Sequence, residues 1–210
     1  MGRKKHQKKN LTQNSVQPAT PVPRRRKRLL RQRDQVLAVT GGLLVLFICY
    51  KWWSSSSFEA EFLALAEEGA AAMNKIETFQ SLGRSHLSAG ESYNYGERFP
   101  TSGPHDFQWV ESGFYTELQR PTKLVHSLEH GQIVIYYDKP APEVLEQLRE
   151  WARRYDGPWS GIVIVPRPNL GEEIVLNAWT RVLRLNPYDP AAAAAFIDSF
   201  RGRGPENPVR

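Results

Sequence analysis

The chain contains very little sulfur. Its single cysteine is Cys49, and Met73 is the only methionine beyond Met1. Residues 54–210 therefore have no cysteine, which excludes disulfide bonds, a thiol nucleophile and a cysteine-based metal site from this part of the chain. Copper(I) binding through a methionine cluster is not expected there either. A folded domain without disulfides must be held together by its core or by a metal ion.

Acidic residues are absent before Asp34, although the first 33 residues include 12 Lys and Arg. This composition cannot build a core, so we predict a disordered basic tail over residues 1–34. Residues 54–210 contain 15 Lys and Arg against 21 Asp and Glu, so the remainder of the chain is acidic. Nucleic-acid binding is therefore not expected of the folded part, and anionic lipid headgroups are the nearest partner for the tail.

An uncharged apolar run follows the tail, and we predict a transmembrane helix over residues 35–53. The run is slightly shorter than the ~20 residues a bilayer requires, but Lys51, Trp52 and Trp53 extend it at the interface. It ends in bulky residues rather than at a small-residue cleavage site, which favours an uncleaved anchor. Because Lys and Arg stay on the cytoplasmic side, we expect a cell-membrane protein with a cytoplasmic N-terminus and an extracytoplasmic C-terminal domain.

The remaining residues divide into a predicted linker helix, 54–75, and a domain, 76–210. Residues 76–122 are rich in Gly, Ser, Tyr and Pro, with short strand-like pieces at 76–79 and 92–95. Beyond them the patterns predict strands at 132–137, 161–166 and 173–179, and helices at 143–155 and 190–200. This order indicates an α+β fold in which helices pack against a small mixed sheet.

Histidine is concentrated in the irregular part of the domain: His86, His105, His126 and His130. Pro121 and Gly131 bound a predicted helix, and on it His126 and His130 are spaced i, i+4, with Cβ atoms roughly 6 Å apart. Neutral imidazole is the usual protein ligand for Zn and Cu(II). We therefore predict a metal site made of His126 and His130, with His105 and His86 as further ligands.

Glu129 is expected beside this helix face, and the sequence allows several roles for it. It could be a ligand, an outer partner of a ligand, or a general base. The string His126-Ser-Leu-Glu-His130 matches a short zinc-peptidase signature, but Gly131 ends the helix at once. The sequence leaves three alternatives: a metal-binding domain, a non-catalytic envelope module with structural histidines and a protein partner, and a metal-dependent hydrolase using Glu129. It does not decide whether the protein is an enzyme.

Several blocks of the domain resemble the bacterial DUF3105 family over about residues 75–207. They are Tyr95, Pro100-Thr-Ser-Gly-Pro-His105, the stretch from Leu124 to Tyr137, Ala178-Trp179 and Pro205-Glu206. Phe99 stands where that family usually has a second proline. The resemblance implies an extracytoplasmic domain of unknown function behind a single membrane anchor. It implies no activity, although the four histidines and Glu129 fit the positions of its motifs.

Overall fold

The structure is a computed structural model that describes residues 24–210, with side chains from residue 35 onward. The larger part of the predicted basic tail, residues 1–23, lies outside the described residues. The chain divides into two compact units, residues 1–54 and residues 55–210, and each is described by itself.

Helix α1 (Arg24–Glu68) accounts for the described part of the first unit and extends into the second. It begins at Arg24, within the predicted basic tail. The stretch from Gln35 onward is unburied and is long and apolar enough to cross a membrane, a property that signal sequences share. In the second unit α1 ends at Glu68, and a 3-10 helix (Gly69–Lys75) follows it.

The second unit is built on one six-stranded sheet. Its strands are β1 (Glu77–Thr78), β2 (Gly113–Phe114), β3 (Ile133–Tyr137), β4 (Ile162–Pro166), β5 (Ile174–Ala178) and β6 (Arg181–Leu185). Their spatial order is β1-β6-β5-β3-β4-β2. The β2–β4 and β3–β4 pairs are parallel and the other three pairs are antiparallel, so the sheet is mixed. The remaining helices are α2 (Pro121–Glu129), α3 (Pro142–Arg154) and α4 (Pro190–Phe200).

Both faces of the sheet are buried, which explains why β3 and β4 are apolar at consecutive positions. Ile133 and Ile135 of β3 point into a core shared with α3 and α4, where Phe196 is fully buried. Val134, between them, points into a second core on the opposite face, with Leu128 of α2. Because α2 packs on this second face, the histidines that α2 carries lie on the side of the sheet away from α3 and α4.

The predicted α+β fold with a mixed sheet and packed helices is confirmed. The three predicted long strands and both predicted C-terminal helices are present, and Asp189 caps α4 by accepting hydrogen bonds from the N–H groups of Ala191 and Ala192. One strand prediction was wrong, and one strand was not predicted. Residues 92–95 form no strand, and β6 was missed because its turn after Trp179 uses Thr180 at φ 61° rather than a glycine.

Candidate metal centre

Helix α2 places His126 and His130 side by side. Pro121 opens the helix and Glu129 ends it, while His130 caps it in a helical conformation. The two imidazole ring centroids are 4.6 Å apart, as the i, i+4 spacing predicts. Leu124 is buried in the second core on another side of the helix, so packing of its apolar side fixes the direction of the histidine pair.

Two hydrogen-bonded contacts hold α2 against the segment before it. Ser127 Oγ accepts from the N–H of Val110 at 3.0 Å and donates to the carbonyl of Val110 at 2.9 Å. His126 Nδ1 donates to the carbonyl of Asp106 at 2.7 Å. Each of these side chains is buried, so the ring of His126 has little freedom to rotate.

A parallel backbone bridge brings His86 to His105. The N–H of Leu87 donates to the carbonyl of His105 at 2.8 Å, and the N–H of His105 donates to the carbonyl of Ser85 at 3.0 Å. The ring centroids of His86 and His105 are 5.0 Å apart, and each lies about as far from that of His126. The histidines from three separate segments therefore meet in one place.

The loop before His105 is structural. Ser102 is buried and its Oγ accepts from the N–H of Leu82 at 3.0 Å. Tyr95 donates its hydroxyl proton to the carbonyl of Pro104 at 2.7 Å, and Thr101 accepts from the N–H of Thr180 at 3.1 Å. These bonds hold the loop in place and bury the ring of His105 completely.

The C-terminal segment brings Glu206, which was not predicted as a ligand from the sequence, to the histidines. Gly131 adopts φ +90°, and a Cβ on it would lie 2.6 Å from the backbone N of Gly204. A Cβ on Gly204 would come within 2.2 Å of the carbonyl O of Glu129. Only glycine permits two backbones to approach this closely. The crossing lets Glu206 N–H donate to the Glu129 carbonyl at 3.3 Å and places its carboxylate over α2.

The three buried histidines share one hydrogen-bonding pattern. His105 Nδ1 lies 2.8 Å from the carbonyl of Gly103, and His130 Nδ1 lies 3.3 Å from the carbonyl of Pro158. His126 bonds the Asp106 carbonyl in the same way. A carbonyl can only accept, so each Nδ1 carries the proton. In the neutral ring, each Nε2 then presents a lone pair to the pocket, as in histidines that bind metals through Nε2.

Carboxylate oxygens face these Nε2 atoms. His105 Nε2 lies 2.9 Å from Glu129 Oε2, and His130 Nε2 lies 3.1 Å from Glu206 Oε2. Buried His105 Nε2 nevertheless makes no hydrogen bond of acceptable geometry within the described part of the chain. Among the described residues, Arg84 is the only Lys or Arg within ion-pairing distance of the Glu129 or Glu206 carboxylate. Its Nε lies 4.0 Å from Glu129 Oε1. The pocket therefore contains several lone pairs of nitrogen and oxygen and few hydrogen-bond donors or cations to pair with them.

These side chains form two overlapping clusters in which the ligand atoms lie within 4.8 Å of one another. Cluster A consists of His86, His105, His126 and Glu129. Cluster B consists of His126, His130 and Glu206. His86 and Glu206 are exposed, whereas the other members are buried. The pocket is therefore built inside the fold and has a solvent-facing residue in each cluster.

Burial favours neutral imidazoles in this pocket. It lowers the pKa of His126 from 6.5 to about 4, although the bond to the Asp106 carbonyl opposes the shift. Burial also lowers the pKa of His130, against the attraction of Glu206. Both rings are thus neutral near pH 7, the protonation state that a metal ligand requires.

Aromatic rings enclose the pocket on the His130 side. The ring centroid of His130 is 4.1 Å from that of Trp159 and 4.6 Å from that of Trp109. Trp109 also lies 5.7 Å from His126. These rings line one side of the histidine pair and lower the local polarity, which strengthens electrostatic interactions.

All four histidines that the sequence singled out are brought together in the structure, and Glu129 lies with them. Glu206 is the one acidic member that sequence reasoning did not propose as a ligand. Its position in the Pro205-Glu206 block of the resemblance was the available signal. Sequence spacing alone could not find it, because four strands and two helices separate Glu206 from Glu129 along the chain.

The second unit is thus an α+β domain carrying a buried histidine–carboxylate pocket. The profile of a family described as a protein of unknown function (DUF3105) matches residues 86–210. The chain belongs to the DUF3105 family, and the matched region contains all members of both clusters. Comparison with curated proteins gave no match, and comparison with solved structures gave none either.

Proposed function

We propose that this domain binds a first-row divalent transition metal, Zn²⁺ or Cu²⁺, through cluster A. The observation that carries the proposal is the convergence of lone pairs on one point. The Nδ1 proton of each buried histidine is committed to a backbone carbonyl, and His105 Nε2 faces the Glu129 carboxylate without a hydrogen bond. Two facing acceptors repel one another unless a proton or a cation lies between them.

The donor set defines the class of metal. Imidazole and carboxylate suit zinc and copper(II), and a site with four protein ligands of this type is typical of zinc. Calcium and magnesium prefer sites made only of oxygen. Copper(I) would need thiolate or thioether ligands, and the sulfur of Met73 instead accepts a hydrogen bond from Ser199, outside both clusters.

The backbone carbonyls behind the rings serve as outer partners in this proposal. Each one fixes the tautomer and the direction of its histidine before a metal arrives. The Gly103 and Asp106 carbonyls hold His105 and His126, two members of cluster A. Such preorganisation lowers the entropy cost of binding, because few side chains need to be ordered when the ion enters.

We infer that Glu129 acts as a ligand rather than as a general base, because its Oε2 atom is 2.9 Å from His105 Nε2 and it is buried. The hydrolase alternative, in which Glu129 activates a metal-bound water, therefore needs a different base. The alternative with purely structural histidines predicts a domain that contains no metal and still loses stability when His126 is replaced.

The test is the metal content of the full-length chain, purified in detergent, stripped with a chelator and re-equilibrated with Zn²⁺. Elemental analysis should find bound zinc in the wild type. His105→Asn should reduce the content, because it removes a fully buried ligand. His6→Asn is the matched control, since His6 lies in the basic tail near the N-terminus of the sequence and the other four histidines form the clusters. Absence of zinc from the wild type, or equal content in all three proteins, would refute the proposal.

We propose further that the apolar stretch beginning at Gln35 anchors this domain to the cell membrane, with the N-terminus in the cytoplasm and residues 55–210 outside. The proposal is supported by the unburied apolar helix and by the 12 basic residues before it, which favour the cytoplasmic side.

In this orientation, anionic lipids would contact the basic tail, and a protein partner in the envelope would contact the acidic domain. Protease added to intact spheroplasts should digest the domain, and protection of the C-terminus would contradict this orientation.

A further inference from the structure

We infer that the pocket is a binuclear centre, in which cluster B holds a second divalent transition-metal ion beside the one in cluster A. The inference rests on the proposed function, because both ions use the same kind of donor set. It goes beyond that function because it assigns a separate role to His130 and Glu206, and it doubles the metal that one chain carries.

Cluster B shows the features that carried the argument for cluster A. His130 Nε2 lies 3.1 Å from Glu206 Oε2, and His126 Nε2 lies 3.9 Å from the same oxygen. Both rings have their Nδ1 protons on backbone carbonyls. In the neutral state, two lone pairs from nitrogen and one carboxylate therefore face a single point. A divalent cation at that point would satisfy all three, with Zn–N distances of ~2 Å.

Glu206 reaches this position through a close approach of the C-terminal segment to the end of α2. The C-terminal segment passes the end of α2, with Gly202 N–H bonded to the Gly131 carbonyl at 2.8 Å. Arg84 Nη1 donates to the carbonyl of Pro205 at 2.9 Å and holds the turn before Glu206. The Glu206 side chain is 40% exposed, so it can close over an ion that enters from solvent.

The two clusters share His126, which has one nitrogen to give. Since His126 Nδ1 donates to the Asp106 carbonyl, only Nε2 is available, and it can bind one ion at a time. With both ions present, the ligands divide into His86, His105 and Glu129 for the first and His126, His130 and Glu206 for the second. Each ion then has two histidines and one glutamate, a ligand set known from catalytic metal sites with an open position.

This division makes the two ions bind in sequence. A single ion can take all four ligands of cluster A, including His126. The second ion must draw His126 away from the first, so it binds more weakly than it would alone. We therefore expect two binding steps of unequal affinity in a titration of the metal-free protein with Zn²⁺, with the second step tied to His130 and Glu206.

The experiment compares the full-length chain with Glu206→Gln and with His105→Asn, each stripped and titrated with Zn²⁺ in detergent. The wild type should bind two ions per chain, and each variant should bind one. Glu206→Gln preserves the shape of a partly exposed side chain, and circular dichroism would show that the fold is intact. As a control on the same segment, exposed Asn207→Ala should keep both ions.

The outcomes separate this inference from the proposed function. One ion in the wild type that persists in Glu206→Gln would overturn the binuclear centre and leave the proposed function standing. No bound ion in the wild type would remove both. Two ions that persist in Glu206→Gln would place the second ion outside cluster B, and would equally overturn the inference.

Electron paramagnetic resonance of the Cu²⁺-loaded protein gives a second readout that folding alone does not change. Two ions in one binuclear site lie roughly 3.5–4 Å apart and couple magnetically. The wild type should therefore show less signal than its copper content predicts. Glu206→Gln should show the full signal of one isolated Cu²⁺. Two uncoupled signals in the wild type would contradict a shared pocket.

Discussion

His105 Nε2 lies 2.9 Å from Glu129 Oε2. His105 lies in the irregular segment before α2, and Glu129 is the last residue of α2. Each atom is an acceptor when the histidine is neutral, because His105 Nδ1 donates to the Gly103 carbonyl. The two side chains are 0% and 5% exposed, so neither is in contact with bulk solvent. With a neutral ring this contact is electrostatically unfavourable, and a cation bound between the two atoms would relieve it.

Replacement of Glu129 by glutamine should separate metal affinity from stability. The amide keeps the shape, removes a buried charge and can donate a hydrogen bond to His105 Nε2. We expect the metal-free variant to be as stable as the wild type or more stable, by about 1 kcal/mol, while Zn²⁺ affinity falls by more than the ~10–100-fold typical of losing an outer partner. Calorimetric titration and urea unfolding measure both. Exposed Glu117→Gln is the control, and unchanged affinity in Glu129→Gln would contradict the ligand role.

Substitution of Gly204 by alanine should act through the backbone. The new Cβ would lie 2.2 Å from the carbonyl O of Glu129 and from the backbone N of Gly131, so the C-terminal segment must move away. We expect a loss of about 1–3 kcal/mol in the free energy of unfolding, as for other overpacked sites, and loss of one of the two ions because Glu206 moves with the segment. Asn207→Ala should change neither quantity, and wild-type zinc binding by Gly204→Ala would show that the crossing does not position Glu206.

The metal-free domain should lose stability as the solution becomes acidic. Burial lowers the pKa of His126 from 6.5 to about 4, so between these pH values the unfolded chain binds a proton that the folded chain does not. Linkage then requires stability to rise with pH in this interval. The contribution is fully present above pH 6.5 and is lost as the pH falls towards 4. Urea unfolding at several pH values should show this slope, and His126→Asn should reduce it. A stability maximum near pH 5 in the wild type would contradict the neutral, buried ring.

Zinc should raise the melting temperature of the full-length protein, because an ion that binds the folded state stabilises it by mass action. At a free Zn²⁺ concentration 100 times the dissociation constant, the gain is about 2.7 kcal/mol. Mg²⁺ at the same concentration should leave the melting temperature unchanged, since it prefers octahedral oxygen sites. Calorimetry in detergent measures both, and a chelator should reverse the shift. His6→Asn should respond as the wild type does, whereas an equal response of His105→Asn would point to zinc bound elsewhere.

Much of the fold was predictable from local patterns. The run from Ile133 to Tyr137 is β-branched and aromatic throughout, and it forms the central strand β3 with both faces buried. Asp189 and Pro190 predicted the start of α4, because a capping carboxylate followed by proline satisfies a helix N-terminus. The hairpin at Thr180 was not predictable, since a threonine at positive φ is held there by its neighbours and not by its own preference.

The candidate site was predictable only where local geometry sets it. The spacing of His126 and His130 on a short helix was enough to place their rings together. The approach of His86 to His105 depends on a bridge between two irregular segments, and no periodic pattern predicts such pairing. The orientation of each ring depends on a carbonyl from another part of the chain, such as Pro158 for His130.

The amino-acid sequence by itself determined the family, the α+β class, the apolar N-terminal helix and the supply of four histidines without a cysteine in the domain. These follow from composition, periodicity and short motifs, which act over a few neighbouring residues. Tertiary structure alone decided that Glu206 joins the histidines and that each buried ring turns its Nε2 inward. Those features depend on contacts between segments far apart in the chain, where the close approach of Gly131 and Gly204 selects one geometry.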